Sequence, residues 1–259
     1  MPDIKNLFAL DGRTALVTGG SRGLGLQIAE ALGEQGAHVV ISSRKSDSLR
    51  SAQERLSAKG IKAEWIAADS SREEEVARLA DEALERVGTI DILVNNAGAT
   101  WGSPTEDLPL AAWDKVMNLN VRSLFLLSQQ IGKRSMLPAG YGRIINLASI
   151  AGMKGNPPTG AKTIAYNTSK AAVINFTRAL AAEWAPHGIT VNALAPGFFP
   201  SDMTRGTLEN QLDSITARIP QGRIGDESDL KGATLLFASD AGKHITGQVL
   251  AVDGGATAI

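Results

Sequence analysis

Seven short runs of apolar and β-branched residues recur along the chain, at residues 14–17 (TALV), 39–41 (VVI), 63–66 (AEWI), 90–94 (IDILV), 144–147 (IINL), 189–194 (ITVNAL) and 249–252 (VLAV). Between them lie longer stretches rich in Ala, Leu, Glu, Arg and Lys. Residues 71–87 show this second pattern most clearly. Val76, Leu79, Ala80, Ala83, Leu84 and Val87 fall three or four apart with charges between, the spacing of one helical face. Strands alternating with helices predict an α/β fold, a doubly wound parallel sheet of about seven strands with helices on both faces. No Pro/Gly/Ser linker, charge block or short repeat breaks the rhythm, so residues 1–259 read as a single domain. Residues 137–164 differ, carrying eight Gly and Pro residues around one strand, and read mostly as loop. In an open α/β sheet ligands sit beyond the carboxyl ends of the strands, which makes the part of this segment after Leu147 a candidate site wall.

Composition removes several function classes. Lys and Arg (26) nearly balance Asp and Glu (27), so the basic excess of a nucleic-acid or anionic-membrane binder is missing and neither partner is expected. Zero cysteines exclude disulfides and thiolate chemistry. His38, His187 and His244 are scattered and form no recognisable ligand set, so no metal is expected. No apolar run approaches the roughly 20 residues that span a bilayer. The first five residues lack the charged-then-apolar pattern of a secretion signal, and a cytoplasmic protein is expected.

The first strand runs into Thr18-Gly19-Gly20-Ser21-Arg22-Gly23-Leu24-Gly25, with a helix expected to start near Leu26. Glycines let a backbone turn tightly against a pyrophosphate, and a helix N-terminus beyond offers unpaired N–H groups and a positive dipole end. Between a strand and a helix, this loop predicts nucleotide binding.

The spacing Thr-Gly-x-x-x-Gly-x-Gly resembles the nucleotide loop of the short-chain dehydrogenase/reductase family. Further stations agree in order: Asp69 after the third strand, Asn95-Asn96-Ala97-Gly98 after the fourth, Asn120 in a helix, and Ser149 after the fifth strand. Tyr166-Asn167-Thr168-Ser169-Lys170, Pro196-Gly197 and Asp253-Gly254-Gly255 complete the series. The resemblance implies a Rossmann-like fold with a dinucleotide-binding half at about 12–100 and a catalytic and substrate-binding half at about 101–259. It implies cofactor contacts from Gly19, Ser21, Arg22, Gly23, Leu24, Gly25, Asp69, Ser70, Asn96, Ala97, Gly98, Tyr166, Lys170, Pro196, Gly197, Phe199 and Ser201. Ser201 stands where the family often has a Thr that binds the carboxamide. Asn95 would tie neighbouring strands together, while Asp69 taken alone could equally cap the helix after it.

An acidic residue after the second strand would hold both ribose hydroxyls of NAD and repel a 2′-phosphate. Here Ser43 stands where NAD-preferring relatives carry Asp, and Arg44 follows. With Arg22 able to approach the same side, two guanidiniums and a hydroxyl suit a phosphate, so NADP(H) is the preferred cofactor and NAD(H) a possible one.

Tyr166 and Lys170 are four apart, one turn on one helix face. A phenol with its ordinary pKa near 10 is a poor acid/base at neutral pH, and an ammonium beside it is expected to favour the phenolate. The resemblance gives Lys170 a second duty on the nicotinamide ribose and has Ser149 share the substrate oxygen with Tyr166. It gives Asn120 a water in a proton relay through Lys170. The family's serine commonly lies 13 residues before the tyrosine, where this chain has Met153. Ser149 lies 17 before, so an insertion of about four residues falls in the loop at 156–162. Trp101, Met153 and Phe198 are candidate walls of the substrate pocket beside Ser149.

The runs NNAGATWG (95–102) and APGFFPSDMTR (195–205) look most like the branch holding the ketoacyl reductases associated with rhamnolipid synthesis and gluconate dehydrogenase-like proteins. The expectation is an NADPH-dependent reductase of a 3-oxoacyl or related carbonyl substrate, using Tyr166 as general acid. The alternatives are an NAD(P)-dependent dehydrogenase oxidising a sugar acid or secondary alcohol, and a dinucleotide-sensing protein without turnover. An intact Ser149, Tyr166 and Lys170 argue against the last. Relatives commonly form tetramers, and a homotetramer or homodimer is expected by the same resemblance.

Overall fold

The computed structural model describes residues 3–259, and the part of the N-terminal reading that rests on Met1 and Pro2 lies outside the described residues. The seven apolar runs form β1 (Thr14–Thr18), β2 (His38–Ser43), β3 (Ala63–Ala67), β4 (Ile92–Asn95), β5 (Gly142–Leu147), β6 (Ile189–Pro196) and β7 (Val249–Val252). All pair in parallel in one sheet, ordered β3-β2-β1-β4-β5-β6-β7. The central strands read as unbroken apolar runs because both of their faces are covered.

A short helix, α1 (Ile4–Leu7), precedes the sheet, and α2 (Gly23–Glu34), α3 (Ser46–Ser57) and α4 (Glu73–Val87) follow β1, β2 and β3. After β4 come α5 (Leu110–Met117), α6 (Ser123–Ile131) and α7 (Leu137–Ala139). The helix α8 (Ile164–Trp184) joins β5 to β6, and α9 (Arg205–Thr216) and α10 (Lys231–Ala238) lie between β6 and β7. Alternate strand residues feed opposite cores. Val17, Ile41 and Val94 pack with Ile28 and Leu32 of α2, Leu49 and Leu56 of α3 and Phe237 of α10. Leu16, Val40 and Leu93 pack with Val76, Leu79 and Ala83 of α4 and with Leu127 and Ile131 of α6.

Two features bear on the site. Strand order reverses between β1 and β4, so the loops after these strands diverge and open a crevice. The helical rod from α5 to α7 is widened twice, by π turns at Asn118–Arg122 and Gly132–Met136. Single π turns inside helices often mark functional positions, and the first of these holds Asn120.

Candidate active site

The glycine loop leaves β1 with Gly19 at φ +65°, and α2 begins at Gly23, three residues earlier than expected. The earlier start puts the last glycine in the helix's first turn. A Cβ on Gly25 would lie 2.3 Å from the Gly19 carbonyl oxygen and 2.4 Å from Asn96 Nδ2, so only glycine fits. Asn96 stitches the two crevice loops together: its Nδ2 donates to the carbonyls of Thr18 (2.8 Å) and Gly19 (3.2 Å). Thr18 Oγ1 accepts from the backbone N–H of Asn96 (3.0 Å) and Ala97 (3.1 Å). Asn95 takes the structural task expected of it, donating to Asn146 Oδ1 on β5 (2.9 Å) and to Ser128 Oγ on α6 (3.0 Å).

The crevice is a cleft of about 720 Å³, and every residue expected to contact cofactor lines it. At one end lie Ser43, Arg44, Asp69 and Ser70, and at the other Ser149, Tyr166, Lys170, Pro196 and Gly197. Ser43 Oγ is buried with no hydrogen-bond partner among the described residues, as is Ser42 Oγ beside it. A buried hydroxyl left unpaired in the protein calls for a ligand or water. Asp69 does not cap α4, which starts at Glu73 behind Arg72. Its Oδ1 accepts from the Ser71 N–H (3.0 Å) and hydroxyl (2.7 Å). Burial works against the carboxylate, but these bonds and the charges of Arg44 and Arg72 hold it below its usual range. Arg44 therefore stands close enough to act on this end of the cleft. Arg22 lines the cleft too, but its guanidinium is bound to Asp202. A cradle that no Cβ can enter, an unpaired hydroxyl and two arginines fit a phosphorylated dinucleotide.

At the other end Ser149 caps the short turn Ile150–Gly152, its Oγ accepting from the Ala151 N–H (3.1 Å). The Tyr166 phenol lies near enough for this hydroxyl to draw its pKa down. Lys170 is buried, one turn along α8, with Nζ 5.6 Å from the centre of the Tyr166 ring and 2.5 Å from the Leu147 carbonyl oxygen, to which it donates. Burial lowers the Lys170 pKa to about 8. Burial also pushes the Tyr166 phenol up from its ordinary value, against the smaller downward pull of Ser149. This reverses the expected direction. The pocket excludes water from both groups, and desolvation penalises phenolate and ammonium alike.

Asn120 does not line the cleft. It is 2% exposed and lies behind Gly98. Its Oδ1 accepts from the Ala99 N–H (2.8 Å), and its Nδ2 donates to the Ala99 carbonyl and to Ser169 Oγ (2.9 Å each). Asn120 thus clamps the loop after β4 against α8.

The three candidate pocket walls are also outside the cleft. Trp101 and Met153 are exposed, with Lys115 Nζ 5.4 Å from the Trp101 ring centre. Phe198 turns to a separate cavity of about 340 Å³ shared with Ile219 and Gln221, while its neighbour Phe199 is buried and reaches the cleft from the core. Ser201 lines the cleft with its Oγ 2.9 Å from Thr204 Oγ1. The loop at 156–162, where an insertion was expected, is closed largely by its own bonds: Asn156 Nδ2 donates to the Ala161 carbonyl (2.7 Å) and Thr163 Oγ1 (3.0 Å), and Lys162 Nζ to the Pro158 carbonyl (2.6 Å). Sequence reasoning missed Gln27, Ser48, Arg55, Asp202 and Glu227 on the cleft wall. Gln27, Ser48, Arg55 and Glu227 belong to no motif, and Asp202, though within the run at 195–205, reaches its partner across 180 positions of chain.

A family model described as enoyl-(acyl carrier protein) reductase matches residues 19–257. The chain belongs to the short-chain dehydrogenase/reductase family of oxidoreductases. It is 42% identical over 253 residues to the rhamnolipids biosynthesis 3-oxoacyl-[acyl-carrier-protein] reductase of Pseudomonas aeruginosa, covering 96% of this chain and 97% of that one. To the gluconate 5-dehydrogenase of Gluconobacter oxydans it is 39% identical over 255 residues, 97% of each chain. The solved gluconate 5-dehydrogenase of Burkholderia cenocepacia, in complex with NADP and tartrate, superposes with a TM-score of 0.93 at 35% identity, covering 99% of this chain and 100% of that one.

Proposed function

We propose that the protein reduces a ketone, of the 3-oxoacyl or a related class, to a secondary alcohol with NADPH. The observation that carries the reading is that Ser149 and Tyr166, with Lys170 one turn away, line one end of a cleft whose other end holds Ser43 and Arg44. Gly19 to Gly25 would cradle the pyrophosphate, Ser43, Arg44 and Arg22 the 2′-phosphate, and Lys170 the nicotinamide ribose. Residues at about 12–100 supply most of the nucleotide end and those at about 101–259 the reacting end of one domain.

NADPH, when bound, would supply the hydride that the carbonyl carbon accepts. Ser149 Oγ and the Tyr166 hydroxyl converge on the carbonyl oxygen, where they stabilise the developing alkoxide. Tyr166 gives up its proton to that oxygen. Its raised pKa suits this direction, because the phenol enters the reaction protonated at neutral pH. Lys170, with a pKa of about 8, is mostly protonated at neutral pH and stands one helical turn away to restore the lost charge balance. By the family resemblance Asn120 would hold a water in a relay through Lys170, although its amide is engaged by Ala99 and Ser169. A second reading, oxidation of a sugar acid or secondary alcohol, draws on the likeness to gluconate 5-dehydrogenase and needs Tyr166 as phenolate. Cytoplasmic residence and assembly as a homotetramer or homodimer belong to the same proposal; Phe125 of α6, 46% exposed and edge-on to Phe176 of α8, is a face suited to a second copy.

The test is a titration with NADPH and NADH, followed by initial rates on 3-oxoacyl thioesters, diketones and sugar ketones. Tighter NADPH binding and turnover of a ketone are expected. Tyr166→Phe should lower turnover by about 10²- to 10⁴-fold with NADPH binding nearly unchanged, and a variant that keeps its rate refutes the proposed acid.

A further inference from the structure

Asp202 sits on the segment between β6 and α9, facing the glycine loop across the cleft mouth. Its carboxylate is bound to the Arg22 guanidinium and also to that of Arg205, three residues further on. The segment is a compact turn: Thr204 Oγ1 donates to the Phe199 carbonyl (2.6 Å), and Ser201 Oγ accepts from the Thr204 N–H (3.2 Å). It lies directly over the loop, since a Cβ on Gly23 would come within 3.8 Å of the Ser201 Cβ. All four of Arg22, Arg44, Ser201 and Asp202 line the cleft. The cation needed at the nucleotide end is therefore already holding an internal anion.

We infer that Asp202 is a specificity-determining residue, competing with the 2′-phosphate of the cofactor for Arg22. This rests on the phosphate site proposed above. One guanidinium can give a bidentate face to a carboxylate or to a phosphate, and the two anions repel when both approach it. NADPH must take Arg22 from Asp202; NADH, lacking the 2′-phosphate, binds with the pair intact. Arg205 makes the exchange feasible, because Asp202 keeps a cationic partner when Arg22 leaves. Breaking the Asp202–Arg22 contact also unties the 199–204 segment from the glycine loop, so the identity of the bound cofactor is passed to a segment at the cleft mouth.

The experiment is calorimetric titration of NADPH and NADH into the wild type, Asp202→Asn, Arg22→Gln and the double variant. Asp202→Asn should tighten NADPH by about three- to fivefold, the scale of one exposed ion pair, and leave NADH nearly unchanged. The gain should vanish in the Arg22→Gln background. Equal effects on both cofactors, weaker NADPH binding, or a gain that persists without Arg22 each overturn the inference. A wild type that binds NADPH and NADH equally, with a ratio that Arg44→Asp does not move, overturns the phosphate site itself and this inference with it. A wild type that prefers NADPH while Asp202→Asn changes nothing overturns the inference alone.

Discussion

Replacing Lys170 by Met tests how the reacting end of the cleft is held electrostatically. Lys170 is 5% exposed, and burial lowers its pKa to about 8 from the ordinary 10.5. Below pH 8 both the folded and the unfolded chain carry the ammonium, and the fold bears the full cost of burying it. Between about pH 8 and 10.5 the folded chain releases the proton while the unfolded chain keeps it, so stability rises with pH. The slope approaches about 1.4 kcal/mol per pH unit midway between the two values, which integrates to ~2 kcal/mol between pH 8 and pH 10. Tyr166 and Tyr141 are pushed up by burial and keep their protons over most of this range, and other groups are common to both proteins. Methionine keeps the length of the side chain and cannot titrate. Urea unfolding of both proteins at pH 7, 8, 9 and 10 should show the wild type gaining ~2 kcal/mol on the variant between pH 8 and pH 10. Parallel stability curves would refute the reasoning, because they would mean the ammonium is not desolvated in the fold.

Arg44→Asp should move the NADPH-to-NADH binding ratio towards NADH by about ten- to a hundredfold, the scale of a lost charge-assisted hydrogen bond plus repulsion; calorimetry with both cofactors checks it, and an unmoved ratio contradicts the phosphate site. Glu30, 4% exposed, is held at a pKa of about 2: burial would raise it, but its bonds to Lys231 (2.7 Å) and Lys59 (2.8 Å) prevail. That contribution is present above about pH 4.5 and lost as pH falls towards 2, so Glu30→Gln should cost ~2–3 kcal/mol at pH 7 and far less at pH 3, read from denaturant midpoints. Asn120→Ala leaves the Ala99 N–H and carbonyl unpaired and should lower both the melting temperature and kcat, at a stability cost of ~2–4 kcal/mol. A fall in kcat with an unchanged melting curve would show that the side chain does not hold the Ala99 loop.

The strands were legible because parallel strands covered on both faces must be apolar throughout, as the runs at 144–147 and 189–194 are. The nucleotide end was legible for a related reason. Its residues follow directly after strand ends, so each motif position inherits its place from the sheet. What the sequence could not disclose depends on contacts between distant segments. The π turn at Asn120 adds one residue to a helical pattern without changing its polarity, and its partner Ala99 lies on another loop. Phe198 and Phe199 are adjacent and both border a second cavity, yet only Phe199 also enters the core and reaches the cleft. The upward shift of Tyr166 arises from burial, whereas spacing along α8 revealed only the neighbouring charge. The Asp202–Arg22 pair carries no local pattern at all.

The segment between Ser149 and Tyr166 combines fixed ends with a largely self-closed middle. Its two ends are anchored independently: a Cβ on Gly152 would lie 2.5 Å from the Lys170 backbone, and Thr163 leads directly into α8. The residues between them are closed largely by Asn156 and Lys162 on their own backbone, with a tie from the Ser103 N–H to the Lys162 carbonyl (2.8 Å). Long bonds through Asn167 (3.4 and 3.5 Å) join Asn156 and Lys154 to α8 beside Tyr166, so chain length there is coupled weakly to the positions of Tyr166 and Ser149. A lobe held this way can be lengthened, shortened or recomposed with little shift of the two side chains at its ends.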